Sequence, residues 1–425
     1  MRILEAILLI ISVGLFNSCG PSQNFRKSSA NQEMDLSTSF FESLFRGDSL
    51  LESAVSNRDA WNVQIIYTMI DRTASNKPRL TTYTYNNPQY FYPASTVKLP
   101  IAILSLQKLN ELKKKGISRN TTMITEAAYG GQTPVYNDPN TADGRPTIGN
   151  YIQKVFLVSD NEASNRLYEF LGQEYINNEL KERGYDEAQI LHRLAISLTE
   201  DQNRHTNPVN FYDSSGRLIY NQEMKNSELG YAVRRDFLGK GYYENGKLVE
   251  APMDFSKKNK LALTSLHQMM ISLVFPKNVR KEQRFNLAES DRAFLLEQMS
   301  MYPGESIYPS YDTSTYYNAY TKFIFHGAER GKTPGNIRVF NKCGIAYGQL
   351  TDVAYFCDFE NKVEFFASAT ITCNRDGILN DDKYDYETMG FPFMKKLGQA
   401  LYAYELKRAK KRLPDLRSFI YRYNK

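Results

Sequence analysis

FYPASTVKLP, residues 91–100, marks the point where a run of aromatic strand formers gives way to a helix. Upstream, residues 63–70 are rich in β-branched and aromatic side chains and read as a strand, DRTASNKP turns the chain, and residues 81–92 return as a second strand. Downstream, Ile101, Leu104, Leu106 and Leu109 are apolar within a helical pattern, and Lys113, Lys114 and Lys115 precede Gly116, a good C-terminal stop. Ser95 opens this helix with Lys98 at i+3, so a hydroxyl and an amine share one face. A serine hydroxyl attacks well only when a neighbouring base takes its proton, and a lysine can do so when desolvation or nearby cations lower its pKa. The helix start also aims free N–H groups at any oxyanion that forms. Taken alone the pair is weak. Ser105 and Lys108 repeat the S-x-x-K spacing in the same helix, and Ser95 reads equally well as an N-cap beside a solvated lysine.

Two further triplets follow in order. Residues 157–165, LVSDNEASN, contain Ser159, Asp160 and Asn161, and residues 341–345, NKCGI, contain Lys342, Cys343 and Gly344. Singly, Ser159 with Glu162 is an S-x-x-E capping box, and Lys342 is a strand lysine. In this order S-x-x-K, S-D-N and a K-T-G-like triplet resemble class A β-lactamases and penicillin-binding proteins. The resemblance spans most of residues 35–412: a leading helix, two strands, a helical middle, three strands (NIRVFNKCG, TDVAYFCDF, KVEFFASATIT) and a closing helix over 389–412. It implies an α+β, β-lactamase/transpeptidase-like fold, with an antiparallel sheet packed by N- and C-terminal helices and a helical subdomain carrying the nucleophile.

The resemblance also implies roles. Ser95 is the nucleophile and Lys98 its base, Ser159 relays the proton to the leaving nitrogen, and Asn161 holds the substrate amide and orients Lys98. Lys342 supplies positive charge near Ser159 and the substrate carboxylate, and Gly344 lets substrate backbone approach the edge strand. The oxyanion hole is formed by the N–H groups of Ser95 and Ile345. Two departures stand out. Cys343 replaces a threonine whose hydroxyl helps bind a carboxylate, and a thiol is a weaker donor. Class A enzymes clear the acyl-enzyme with the glutamate of an E-x-x-L-N pattern. RLAISLTEDQNRHTNPVNFYD contains Glu200 and Asp201, and counting from Glu200 puts Asn203 and Arg204 at the leucine and asparagine positions. Glu200 is a candidate catalytic acid, with a solvent-facing helix start as the plainer reading.

The ends and the composition set the context. Arg2, an apolar run over 7–16 and LFNSC before GPSQ resemble a bacterial lipoprotein signal over residues 1–18, with Cys19 lipidated and a polar tether to residue 34. The expected location is exported and periplasmic, held to the membrane through the lipid on Cys19. Residues 35–425 then form one hydrolase domain, with an insertion at about 213–258 whose YYENGKL carries an Asn-Gly hairpin signal. Net charge is +6 over 425 residues, and the basic runs sit at helix C-termini, so nucleic acid is not an expected partner. Four histidines and four cysteines show no metal-binding spacing and no Gly-rich phosphate loop follows a strand, so neither metal nor cofactor is expected. The expected function is a monomeric serine hydrolase that opens a β-lactam or a related amide. The alternatives are a penicillin-binding-protein-like D-alanyl carboxypeptidase or endopeptidase on cell-wall peptide, or a non-catalytic wall-binding relative.

Overall fold

A computed structural model describes residues 36–85 and 89–423. The leader, Cys19 and the tether expected at the N-terminus lie outside the described residues. The centre is a five-stranded antiparallel sheet built from β1 (Gln64–Arg72), β2 (Pro78–Tyr85), β3 (Ile337–Ala346), β4 (Gln349–Asp358) and β5 (Val363–Thr372), in the spatial order β3-β4-β5-β1-β2. The first strand of this sheet therefore pairs with its last in sequence, Tyr67 opposite Ala367, and β3 is left as an edge.

Both faces of the sheet are covered, and strand periodicity divides the side chains between them. Ile66, Val353, Tyr355 and Phe366 point into a core shared with the helices Lys98–Leu112, Ile148–Leu157, Asn161–Leu171, Leu263–Val274 and Glu289–Ser300. Ile65, Tyr67, Ala354, Phe356 and Phe365 point the other way, against Phe41, Phe45 and Leu51 of the N-terminal helices and Phe393, Leu397 and Leu401 of the closing helix Phe391–Lys407. This is the α+β arrangement that the motifs implied, an antiparallel sheet packed by N- and C-terminal helices on one face and by a helical layer on the other.

Local chemistry moved several boundaries. The leading helical segment breaks at Gly47, φ +89°, into residues 36–45 and Ser49–Ser56, where Asp48 accepts hydrogen bonds from the N–H groups of Leu50 and Leu51. The second strand stops at Tyr85 rather than Tyr92, and Tyr90 and Tyr92 pack instead with Phe255. Ser95 does not cap a helix. It lies in a 3-10 turn, Ala94–Val97, ahead of the α-helix that starts at Lys98.

Residues 213–258 attach in several places, and Lys225–Asn226 pairs with His205–Thr206. Leu218–Gln222 pairs with Val209–Tyr212 beside the helical layer. The hairpin Gly241–Glu244/Lys247–Val249, turned at Asn245 (φ 50°) and Gly246 (φ 76°), pairs in parallel with Ile378–Leu379, just beyond the last sheet strand. The segment therefore builds a wall at the end of the sheet where β3 and the Ser95 turn meet.

Candidate active site

The Ser95 turn is shaped by backbone contacts. Ala94 has φ +46°, and both the N–H and the hydroxyl of Thr96 donate to Pro93 O, at 3.0 and 2.6 Å. Strand β3 presses on this turn at Gly344, where an added Cβ would lie 2.8 Å from Pro93 O and 3.0 Å from Ser95 N. No other residue fits there, so Gly344 sets how close the edge strand comes to the nucleophile. The hairpin joining β3 to β4 turns at Tyr347 (φ 53°) and Gly348 (φ 75°), both left-handed, and closes on the pair Ala346–Gln349. In such a ladder alternate residues turn their backbone groups outward. Ile345 and Cys343 are those residues, and Ile345 N–H points off the edge on the side of Ser95.

Behind the turn lies a chain of polar groups. Lys98 is 0% exposed, and its Nζ donates to Ser159 O at 2.5 Å and Asn161 Oδ1 at 2.7 Å and lies 3.3 Å from Ser159 Oγ. Lys342 donates to Ser159 Oγ at 2.8 Å and to Cys343 O at 2.7 Å. Burial first, and then the charge of Lys342, holds the Lys98 ammonium well below the ordinary lysine pKa, whereas Lys342 is lowered by burial and supported by Asp352. Ser159 is not a helix cap. Asp160 takes that place, accepting from Ala163 N at 2.8 Å, and Ser159 sits at φ +58° with its hydroxyl turned to the two lysines. Ser159 thus stands in a backbone region sparsely used by non-glycine residues, and the two lysines bracket it. Among the described residues no hydrogen bond ties down the half-buried hydroxyl of Ser95. It opens into a cavity of about 530 Å³ shared with Tyr92, Asn161, Ala195 and Ile345.

Two expected site residues lie elsewhere. The Cys343 side chain faces away from Lys342 and Gly344, 4% exposed in the core under the closing helix, and burial pushes its thiol up to about 11. Neighbouring strand residues alternate faces, so the residue between two cleft-facing positions turns its side chain into the other layer. Glu200 begins a five-residue helix, exposed, paired with Lys257 at 2.9 Å and Arg204 at 3.5 Å, and lines a separate groove. These cations lower its pKa.

The segment that does reach Ser95 is Leu194–Ala195. Asn165 holds it in both directions, accepting from Leu194 N at 2.9 Å and donating to Leu194 O at 3.0 Å. The buried set Arg166–Glu169–Arg193 anchors the residues before it, each arginine 2.9 Å from a Glu169 oxygen. Ala195, at φ +54°, lines the cavity. Counting E-x-x-L-N from Ala195 puts Leu198 at the leucine, with Thr199 at the asparagine. The signal was present in the sequence, but it requires accepting alanine where an acid is sought.

The sequence model described as "Beta-lactamase enzyme family" matches residues 53–230. No curated protein matches by sequence. Similar solved structures include a beta-lactamase from Burkholderia phymatum, 14% identical with TM-score 0.47, covering 87% of this chain and 99% of that one. A class A beta-lactamase from Clostridium kluyveri is 15% identical with TM-score 0.45, over 83% and 98% of the two chains. A beta lactamase from Xanthomonas campestris is 11% identical with TM-score 0.46, over 87% and 98%.

Proposed function

We propose that this chain, whose residues 53–230 match the beta-lactamase enzyme family, is a serine hydrolase that cleaves an amide through an acyl-enzyme on Ser95. The observation that carries this reading is the run Lys98–Ser159–Lys342 directly behind an unengaged serine hydroxyl. A neutral Lys98 spends its two N–H groups on Ser159 O and Asn161 Oδ1 and keeps a lone pair. That lone pair takes the Ser95 proton as Oγ bonds to the carbonyl carbon. The carbonyl electron pair moves onto oxygen, between the N–H groups of Ser95 and Ile345. The C–N bond then breaks as the Ser159 hydroxyl gives its proton to the departing nitrogen and is refilled from Lys98. Lys342 stays charged and favours the anionic character that develops on Ser159. At rest Lys98 engages Ser159 and Asn161 rather than Ser95, and such contacts commonly tighten only with substrate bound.

The substrate is a β-lactam or a cell-wall peptide, and the exported, lipid-tethered location expected from residues 1–19 brings both within reach of a monomer. Ala195 favours the second reading, a penicillin-binding-protein-like enzyme. Glu200 is held in ion pairs outside the cavity, and among the described residues the one carboxylate that lines it is Asp382, on the 378–386 segment rather than on the Leu194–Ala195 segment. The test is intact mass after incubation with a penicillin. The expected result is one added penicillin on the wild type and none on Ser95→Ala; an unmodified wild type would overturn the serine mechanism.

A further inference from the structure

The cavity at Ser95 has an unusual lining for a site meant to receive an anion. Among the described residues no lysine or arginine lines it, and Asp382 is the one carboxylate that does. The two site lysines lie behind the serine, 0% and 2% exposed, with their donors spent on Ser159, Asn161 and Cys343 O. The thiol standing where a carboxylate-binding hydroxyl was expected is buried in the opposite layer.

The wall opposite Ser95 is made by residues 378–386. Ile378–Leu379 pairs in parallel with the Gly241–Glu244 strand, Asn380 Nδ2 donates to Tyr243 O at 3.2 Å, and Asn380 N donates to Tyr384 Oη at 2.9 Å. Gly348 N donates to Tyr386 Oη at 2.7 Å. These bonds pin the tyrosine hydroxyls to backbone and leave their rings to line the cavity, Tyr384 and Tyr386 with centroids 5.3 Å apart and Tyr347 beside Tyr92 at 5.4 Å. Asp382, at φ 59°, is exposed within this turn, and among the described residues its carboxylate has no ion pair or hydrogen bond.

An unpaired carboxylate and aromatic rings lining one cavity suit a cation, because carboxylate and π-systems both attract positive charge. We propose that Asp382, with Tyr347, Tyr384 and Tyr386, forms a cation-accepting subsite, so that the preferred acyl donor carries an ammonium group near the scissile carbonyl. This rests on Ser95 being the acylated residue. The attraction acts on substrate binding and leaves the bonds made and broken at Ser95 unchanged.

The test uses three thioesters with one common thiol leaving group, whose acyl chains end in an ammonium, the same amine acetylated, or a carboxylate. Ser95 acylation is followed by intact mass. The wild type should react with the ammonium ester about tenfold faster than with the neutral one, and slowest with the carboxylate. Asp382→Asn keeps a residue at ease with positive φ and should bring the ammonium and neutral esters to within about twofold, while Asp382→Lys should favour the carboxylate. Equal rates for the three esters in the wild type, or an ammonium preference that survives Asp382→Asn, would overturn the subsite with the serine mechanism intact. Failure of every ester to label Ser95 would instead remove the reading on which the subsite rests.

Discussion

At the residue scale the site is decided by what each side chain is forbidden as much as by what it supplies. Ala195 lines the Ser95 cavity, and on the proposed mechanism Ala195→Glu should let a persistent acyl-enzyme turn over. General-base help is worth about 10² to 10⁴ in rate. Ala195 already carries a Cβ at φ +54°, so the glutamate adds little backbone strain and the melting temperature should hardly move. Steady-state hydrolysis of a chromogenic cephalosporin after its burst is the measurement, and an unchanged slow phase would mean that Ala195 is not where the water lies. Gly344→Ala tests the close approach of β3. With a Cβ 2.8 Å from Pro93 O, the strand must withdraw, and acylation should fall by about 100-fold for a stability loss of about 1–3 kcal/mol, read from burst kinetics and denaturant melts of one preparation. That Ser95, Lys98, Ser159, Asn161 and Lys342 come together was legible in the sequence, because short motifs carry chemistry and spacing together. Cys343 and Glu200 lie away from the cavity for different reasons. Strand alternation, available from the sequence, already sends Cys343 to the face opposite Lys342. Glu200 is an acid but breaks the leucine spacing that Ala195 keeps.

At the element scale the strands were the readable part and the connections were not. The three late strands fall where β-branched and aromatic runs put them, because those residues fill both covered faces of the sheet. The 3-10 turn before Lys98 was invisible, since its shape comes from Gly344 pressing from more than two hundred residues away. The Asn245-Gly246 hairpin was visible, but its partner was not, because nothing in a two-residue pairing with Ile378–Leu379 leaves a periodic trace. That pairing gives a prediction of its own. Replacing 241–249 by a short Gly-Ser link should loosen the 378–386 wall and lower the efficiency of Ser95 acylation about 10- to 100-fold. The melting temperature of the main sheet should hardly move, because none of the hairpin's strands belongs to it. An equal loss of melting temperature and activity would show the hairpin to be part of the core instead.

At the scale of the whole molecule, one sheet serves two cores, and polar groups trapped between layers make its stability sensitive to acid. His267, in a helix of the first core, is buried, with Nε2 2.8 Å from Thr68 Oγ1 and Nδ1 2.7 Å from Ser368 Oγ, and burial lowers its pKa to about 3. The unfolded chain binds this proton below about 6.5, and the folded chain does so only below about 3. Between those values the unfolded state holds more protons, so stability rises with pH across the window and is lost as pH falls. The wild type should lose up to about 1.4 kcal/mol per pH unit there from this group, and His267→Gln should flatten that part of a denaturant-midpoint profile from pH 3.5 to 6.5. An unaltered slope would assign the acid sensitivity to other groups.

The contact between Gly344 and the Ser95 turn also bears on when, during the protein's making, it can first react. Ser95 and Lys98 leave the ribosome early, but the strand that shapes their turn, and Lys342 on it, come from the last fifth of the chain. Loop closure over so long a separation is slow and waits for the late strands to pair. A nascent chain should therefore carry its serine in an unshaped turn and react poorly with an acyl donor. Covalent labelling would then mark only molecules that have finished folding, making the nucleophile a built-in report of completed maturation.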